Sequence, residues 1–411
     1  MAKSRYILIE TTIAVVYNIA QHYVMIYLDN SATTPLAPEV AERMNRWRAA
    51  SFANASSTHR GGQQARVELE DARDTIAEAL GAEPREIIFT SGGTEANNFA
   101  LKGYALKLYT ELGTWPTIIT APTEHHAVLH PADFLTRLGA RVIYLPVDHA
   151  GPIDPESLHA ALTEDGSPAP LVSIMHANNE TGIINPIAEL ARITHEMGGV
   201  FHTDAVQTFG KLDLDAAELG ADMVSVSAHK IHGPKGVGAL YVNRAIEIEP
   251  LLHGGAQERN RRGGTESVEL AVGFDEAVRL AMETTAERAP AMRELNALLR
   301  SLLGEIEGIW FVTPEEGVLP NIVSVTFSDA VRLDGEGLLV GMDLLGVAIS
   351  NGSACTSGSI QPSHVLSAMG FPAEQAKAAV RFSLSRYTTE QDIRGGAAAL
   401  REVVERMRGR M

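Results

Sequence analysis

The sequence has one cysteine, Cys355, among its 411 residues. No disulfide can therefore form within the chain, and a metal site built from several thiolates of one chain is excluded. Basic residues are also short. Against 51 Asp and Glu there are 34 Lys and Arg, which leaves a net charge of −17 with His neutral. Such an acidic chain is poorly suited to holding nucleic acid through phosphate contacts or to docking on an anionic membrane. Long hydrophobic runs are missing as well. The stretch Tyr6 to Ala20 is mostly apolar but is interrupted by Glu10, Thr11, Thr12 and Asn18. A membrane helix wants about 20 predominantly apolar residues, and a signal peptide wants an unbroken apolar core followed by a small-residue cleavage site. Met25 then opens a new segment, Ile26-Tyr27-Leu28-Asp29-Asn30. Residues 1–24 are read as a non-essential extension or a misassigned start, with a weak anchor as the alternative. The rest is read as a soluble, cytoplasmic protein.

What is present is ordinary for a globular chain, with 45% apolar and 21% charged residues. The length suits two or three domains with a large core. From Gln64, Val67, Ala72, Ile76 and Leu80 recur at helical intervals, and Gly81 stops the pattern. Short apolar runs follow at Ile87–Phe89, Thr117–Ile119, Arg141–Leu145, Leu171–Met175, Val200–Phe201 and Met223–Val226, with helical patterns such as Ile187–Met197 between many of them. This alternation predicts an α/β fold with a mostly parallel, doubly wound sheet. From about Ala281 the character changes. A long helical pattern, Ala286–Leu303, leads to a strand at Ile322–Phe327 and a closing helix at Gln391–Met407. The expected organisation is a large domain over 40–285 and a smaller α+β domain made of 25–39 and 286–411.

Polar residues fall where such a sheet would use them. Five apolar runs end in polar groups: Gly92-Gly93-Thr94, Glu124-His125-His126, His176 with Asn178-Asn179-Glu180, His202 with Asp204, and Ser227 with His229-Lys230. In an open α/β sheet the ligand crevice lies beyond the carboxyl ends of the strands, so these segments would converge. Ser91-Gly92-Gly93-Thr94-Glu95 suits a phosphate at a helix N-terminus, but it is neither a Walker loop nor a GxGxxG fingerprint, and an ordinary capping turn reads the same way. A lysine confined by glycines and polar residues, as Lys230 is, can form a Schiff base with a carbonyl cofactor; a solvated loop lysine is the bland reading. Pyridoxal phosphate would then need a phosphate cup, a carboxylate and a stacking ring, for which Thr94, Asp204 and His125 are the candidates. Asp204 could equally cap the following helix. Cys355 lies in a run of small polar residues, Ser350 to Ser359. That context favours a nucleophilic thiol over a packed one. His126 and His130 could share a helix face, yet no HExxH or cysteine cluster supports a zinc reading.

From about Tyr27 to Arg406 the chain resembles the NifS/IscS-type cysteine desulfurases, class V of the fold-type I pyridoxal-phosphate enzymes. The resemblance rests on Leu28-Asp29-Asn30-Ser31-Ala32-Thr33-Thr34, Phe89-Thr90-Ser91-Gly92-Gly93-Thr94-Glu95 and Thr123-Glu124-His125. It continues through His176 to Gly182, His202 to Gln207, the Lys230 segment, Arg262-Gly263-Gly264-Thr265-Glu266, the Cys355 segment and Arg381-Phe382-Ser383-Leu384. The long cysteine loop is similar to that of group I rather than the shorter-loop group. The resemblance implies roles for single residues. Lys230 is the Schiff-base lysine, and His125 is the ring-stacking residue and an acid/base candidate. Asp204 is the pyridinium partner, Gln207 a donor to the phenolic oxygen, and Asn179 a further cofactor and substrate contact. Gly93, Thr94, Ser227 and His229 form the phosphate cup. Thr265 is a phosphate ligand given by the other subunit of a homodimer. Arg381 clamps the substrate carboxylate.

The implied reaction takes L-cysteine to L-alanine and leaves a persulfide on Cys355. The sulfur then passes to an iron–sulfur scaffold or to a thiolation acceptor. The resemblance also implies Cys355 as a ligand, through its persulfide, of an iron–sulfur cluster shared transiently with a scaffold. Asn351, where such loops often carry Ser or Thr, and His126 are small departures, and residues 1–24 have no counterpart. Two other readings stay open: a selenocysteine lyase or other class V enzyme, and a catalytically idle scaffold. Cys355 argues against an aminotransferase, and intact Lys230, Asp204, His125 and Cys355 argue against the scaffold.

Overall fold

The computed structural model describes residues 25–149, 151–167, 169–351 and 361–409. Its strands are β1 (Ile26–Tyr27), β2 (Ile87–Thr90), β3 (Ile118–Thr120), β4 (Val142–Tyr144), β5 (Leu171–Ser173), β6 (Val200–Asp204), β7 (Met223–Ser227), β8 (Gly238–Val242), β9 (Ile309–Phe311), β10 (Ile322–Phe327), β11 (Val347–Ala348) and β12 (Val380–Ser383). The helices used below are α1 (Pro38–Ala50), α2 (Arg60–Glu78), α3 (Gly93–Asn98), α4 (Tyr104–Leu112), α5 (His126–Arg137), α6 (Pro155–Asp165), α7 (Ile187–Glu196), α8 (Val268–Gly304), α9 (Gly335–Leu344), α10 (His364–Ala368), α11 (Ala373–Ala378) and α12 (Glu390–Met407).

Among the described residues, seven strands form one sheet in the order β2-β8-β7-β6-β5-β3-β4. The pairings from β7 through β6, β5 and β3 to β4 are parallel, as the strand–helix alternation predicts. The strands β2, β3, β5, β6 and β7 are buried along their whole length. That is why they read as continuous apolar runs rather than alternating ones: helices cover both faces. Alternate side chains feed two cores. Ile87, Phe89, Ile119, Val172, Phe201 and Val224 face one, with helices α1, α2 and the start of α8. Ile88, Ile118, Leu171, Val200 and Met223 face the other, with Phe99, Val128 and Leu135.

Two elements differ from the sequence expectation. β8 is antiparallel to both β7 and β2. Only residues 228–237 separate it from β7, too few for a parallel crossover helix, so the chain must turn back. The long helix α8 begins at Val268, not Ala286. Its first half buries Val268, Ala271, Val272, Phe274 and Val278 in the core of the large sheet, while Leu299 and Leu303 join a separate core with Leu28, Val323, Phe382 and Leu400. Gly273 hid this continuity in the sequence, since glycine weakens a helical pattern. A Cβ there would meet Met44 Sδ at 2.7 Å and Pro234 Cγ at 2.9 Å. The second core is built on the antiparallel sheet β12-β10-β9 and the parallel pair β1-β11. β12 projects toward the carboxyl ends of the large sheet, which places the site between the two cores.

Candidate functional site

A cavity of about 600 Å³ opens at the carboxyl ends of the strands. Gly93 and Thr94 after β2, His125 after β3 and Asn179 after β5 line it, as do Asp204 and Gln207 of β6 and its turn, and Ser227, His229 and Lys230 of β7 and its turn. Arg381 reaches it from β12. The structure thus brings ten of the sequence-predicted site residues together. Thr265 does not join them. It is exposed and lines a neighbouring cavity of about 190 Å³ with Ser91, Gly236 and Arg262. Cys355 lies outside the described residues; Ser350, on its amino-terminal side, lines the large cavity.

Each side chain is fixed by local structure. Lys230 ends a 3₁₀ turn that directly follows β7, and its Nζ donates to the carbonyls of Ser31 and Ala32. Burial, with Arg381 nearby, pushes the Lys230 amine down to about 8, against the opposing pull of Asp204 and Asp29. Asp204 closes β6. Its Oδ1 accepts from the Val206 N–H at 2.9 Å and its Oδ2 from Asn97 Nδ2 at 2.5 Å. His125 is the N-cap of α5, and its Nδ1 accepts from the Ala127 N–H at 3.0 Å. That bond places the proton of the neutral ring on Nε2. Burial lowers the His125 pKa, so the neutral ring is favoured.

Gln207 donates through Nε2 to the Ser31 carbonyl at 3.0 Å and accepts at Oε1 from Lys211 at 3.2 Å. His229 pairs with Thr33 Oγ1 at 3.2 Å, and burial beside Lys230 pushes it down to about 4. Ser227 Oγ is buried, without a partner among the described residues. Gly92 adopts φ +146°, in the region that favours glycine, and a Cβ at Gly93 would meet Val206 Cγ2 at 2.7 Å. Arg381 donates from Nη1 to the Asn179 carbonyl and from Nη2 to Asp29 Oδ1, both at 2.8 Å, while its Nε is buried and unpartnered.

Three contributors escaped the sequence reading. Asn97 holds Asp204, and the available signal was a polar residue one helical turn after Thr94 on an otherwise apolar face. Asp29 pairs with Arg381, but nothing in the sequence joins positions so far apart. Glu124 is fully buried; its Oε1 accepts from the Met175 N–H at 2.7 Å and its Oε2 has no partner. Burial, with Asp204 close by, raises it well above the usual carboxylate range, so it stands neutral beside Asp204. The neighbouring His126 and His130 do share a face of α5 and stack at 4.8 Å, and His364 of α10 lies 4.4 Å from His126.

The arrangement offers a low-pKa amine, a carboxylate fixed by two donors, a neutral imidazole and a guanidinium, all in one cavity beside a glycine cradle. The family described as Aminotransferase class-V matches this chain over residues 26–395. The chain is 46% identical over 386 residues to a cysteine desulfurase IscS of Dictyoglomus turgidum, covering 93% of this chain and 95% of that protein. The solved structure of a NifS-like protein superimposes with a TM-score of 0.85 at 38% identity, covering 93% of this chain and 100% of that one. A second structure, SspA in complex with cysteine, superimposes with a TM-score of 0.75 at 36% identity, covering 88% and 99%.

Proposed function

The chain belongs to the class-V aminotransferase family, in its branch of IscS/NifS-type cysteine desulfurases, and on that premise we propose that it is a pyridoxal-phosphate-dependent sulfurtransferase. It converts L-cysteine to L-alanine and loads the sulfur on Cys355. The carrying observation is the convergence of Lys230, Asp204, His125 and Arg381 on one cavity.

The residues present fit the cofactor. The orphan Ser227 hydroxyl and the N–H groups at the start of α3 supply donors for a phosphate, in a cradle that a Cβ at Gly93 would fill. Thr94 and His229 complete that cup. Asp204, held by Asn97 and the Val206 N–H, suits a ring N–H. Gln207, its carbonyl taken by Lys211 and one amide proton by the Ser31 carbonyl, has a second amide proton to offer the cofactor. When bound, the cofactor supplies a carbonyl for amines and an electron sink that makes the substrate Cα proton labile.

The chain's own groups do the rest. Lys230 holds the cofactor through its amine; with a pKa near 8 a useful fraction is neutral at pH 7 to 8 once released, so its Nζ takes the Cα proton. His125 is held as a ring by its cap bond. To act as a base it would have to take a proton on Nδ1 and break that bond, so it serves better as a stacking face and an Nε2–H donor. Arg381 Nε and the Asn179 side chain receive the substrate carboxylate.

The Cys355 thiolate attacks the substrate sulfur. An S–S bond forms at Cys355, the substrate Cβ–S bond breaks, and the electron pair left on carbon is protonated to give alanine. The persulfide then passes to an iron–sulfur scaffold or another acceptor, with a transient shared cluster in the first case. The relative SspA, solved with cysteine, supports the substrate class. Thr265, exposed and outside the cavity of its own chain, serves the partner subunit's phosphate cup in a homodimer. The division proposed is 40–285 and the composite of 25–39 with 286–411; the separate packing of the large-sheet core and of the core around Leu28, Val323 and Leu400 supports it, while α8 spans the boundary and Ala37 packs in the first core. The enzyme works in the cytoplasm; no helix among the described residues is long and apolar enough to cross a membrane.

The test is product analysis. Cofactor-loaded protein given L-cysteine and a thiol reductant should release alanine and sulfide in equal amounts. Cys355→Ser should bind L-cysteine, seen as a change in cofactor absorbance, yet release neither product. A fully active Cys355→Ser protein would sink the desulfurase reading.

A further inference from the structure

Lys230 lines a second cavity besides the one above. This cavity holds about 100 Å³, and Lys211, Arg288, Arg386 and His232 also line it. On this measure roughly 10–15 Å³ holds one water, so a small polyatomic ion fits. Its charge is of one sign: among the described residues lining it there is no carboxylate. None of Lys211, Arg288 and Arg386 makes an ion pair with another described residue; the described ion pairs all lie elsewhere. Among the described residues, Lys211 has only the neutral Gln207 carbonyl as acceptor, and the buried Arg386 Nε has no acceptor. The cations feel one another. Burial holds His232 down to about 4, and Arg386, Lys211 and Arg288 each push it further in that direction. His232 also sits at φ +67°, a costly conformation for a side-chain-bearing residue.

Buried charges are normally paired, and buried polar atoms are normally hydrogen-bonded. The cavity's three cations are half-buried with no carboxylate beside them among the described lining residues, and its asparagines break the second habit. Beside the unpaired cations, two lining residues carry orphan acceptors: Asn30 Oδ1 and Asn321 Oδ1, in side chains 2% and 4% exposed. Both amide nitrogens are already spent on carbonyls of the chain, so the oxygens cannot be exchanged for donors. A ligand that completes this lining must carry several anionic oxygens for the cations and at least one donor for the asparagines. A monoprotonated phosphate group has both at neutral pH. Sulfate matches its size and charge but has no donor.

We propose that Lys211, Arg288 and Arg386, with Asn30 and Asn321, form a binding site for a phosphate group, separate from the cofactor's phosphate cup and sharing Lys230 as a wall with the cofactor cavity. The site is independent of which reaction the larger cavity performs. Its charge would lie beside the Lys230 amine, so occupancy favours the protonated amine and couples anion concentration to the larger cavity.

The test uses cofactor-saturated protein, so that the cofactor's own phosphate fills the cup. At constant ionic strength, calorimetric titration with inorganic phosphate should show saturable binding of one ion per chain. Sulfate should bind at least tenfold more weakly. Arg288→Glu should weaken phosphate binding at least tenfold and leave the cofactor absorbance unchanged, and Arg386→Gln should weaken it as well. Ethyl phosphate run in parallel separates the sources: binding comparable to phosphate identifies a phosphomonoester end, and exclusion identifies the free ion. Unsaturable heats that follow ionic strength alone, saturable binding that survives both substitutions, or sulfate equal to phosphate would each overturn the assignment.

Discussion

On one side of Lys230 lies a cavity of about 600 Å³ lined by charges of both signs; on the other lies one of about 100 Å³ whose charged lining residues, among the described residues, are all cations, set among neutral ones such as Ile231, Met292 and Leu384. In the larger, Lys230 and Arg381 are set against Asp204 and Asp29, and Arg381 pairs directly with Asp29 at 2.8 Å. In the smaller, Lys211 donates to the neutral Gln207 carbonyl and Arg386 Nε has no partner among the described residues. A third place shows what full compensation looks like. Arg73 and Glu258, 3% and 2% exposed in their side chains, meet through two bonds of 2.7 and 2.8 Å, and Glu258 also accepts from the Phe89 N–H at 3.0 Å. The chain therefore can pair a buried cation when only its fold is at stake. In these two cavities, the cations left unpaired or half-paired line space that a ligand's negative charge would fill. Substrate carboxylate would fill that place at Arg381, and a phosphate group at Lys211.

The largest expected effect breaks the wall between the two cavities. Lys230→Ala removes the amine that would hold the cofactor and take the substrate proton. Turnover should fall by about 10²–10⁴-fold or more, the range for loss of a positioned acid or base. Borohydride treatment should then fix no cofactor to the protein. A borohydride-stable protein–cofactor bond in this variant would move the attachment point to another lysine.

Next in size is a variant that makes an unpaired cation where the protein has a paired one. Glu258→Gln keeps the shape and removes the charge, leaving buried Arg73 with only the half-buried Glu70, 3.2 Å from its Nε, as counter-ion. Breaking a buried pair costs about 3–5 kcal/mol, and the bond to Glu70 holds the loss toward the lower end of that range. The pair also anchors Glu258, Arg259 and Asn260, which stand in succession at φ +45°, +57° and +65° just ahead of the Thr265 loop. The thermal midpoint should drop by several degrees, and cofactor affinity should weaken with it if the loop carrying Thr265 serves the partner's phosphate cup. An unchanged midpoint would show that the Arg73 charge is offset by other groups, and the contrast with Lys211 would then lose its reference.

A smaller change removes one negative charge from the larger cavity. In Asp204→Asn one oxygen remains for the Val206 N–H, and Asn97 keeps its bond by turning its amide so that its Oδ1, without a partner among the described residues, accepts from the new N–H₂. A hydrogen bond to a charged group contributes about 1.5–3 kcal/mol, so cofactor affinity should weaken by about 10–150-fold in an absorbance titration. Retained affinity would mean that the ring nitrogen does not meet this carboxylate.

How much of this was legible in the sequence follows from the range over which each feature is encoded. The parallel sheet and the strand-end residues Lys230, Asp204, His125 and Asn179 could be placed because an apolar run followed by polar residues is a local signal, and the α/β topology fixes where its end points. The family-like motifs assigned those residues roles that position alone left open. The antiparallel β8 was missed because a short apolar run carries no direction, and the start of α8 because Gly273 answers to Met44 and Pro234, far away in sequence. The second cavity was illegible for the same reason in a stronger form. Asn30, Lys211, Arg288, Asn321 and Arg386 each read as an unremarkable polar residue, and only the packing of α8 and the chain after β12 against the Lys230 turn assembles them. Thr265 and Cys355 remain the two assigned residues that the described cavity does not contain.

The smallest effect sharpens the comparison from the side of the unpaired cations. Burial, with Lys230 and Arg381 nearby, pushes the Lys211 amine from its ordinary value of 10.5 down to about 7. Between those two values the unfolded chain holds more protons than the folded one, so this group makes stability rise as pH rises from about 7 to about 10.5. Below pH 7 the folded protein carries the full cost of an unpaired charge; above 10.5 both states are neutral and the cost is gone. Lys211→Met fills similar space with an apolar side chain and removes that dependence. The variant should melt higher than the parent near pH 6, and the difference should shrink steadily and close toward pH 10. Inorganic phosphate should narrow the gap at low pH, because it stabilises only the chain that still has the lysine. A pH-independent difference would show that Lys211 is not charged and unpaired in the folded protein. A phosphate effect of equal size in both chains would separate Lys211 from the anion site.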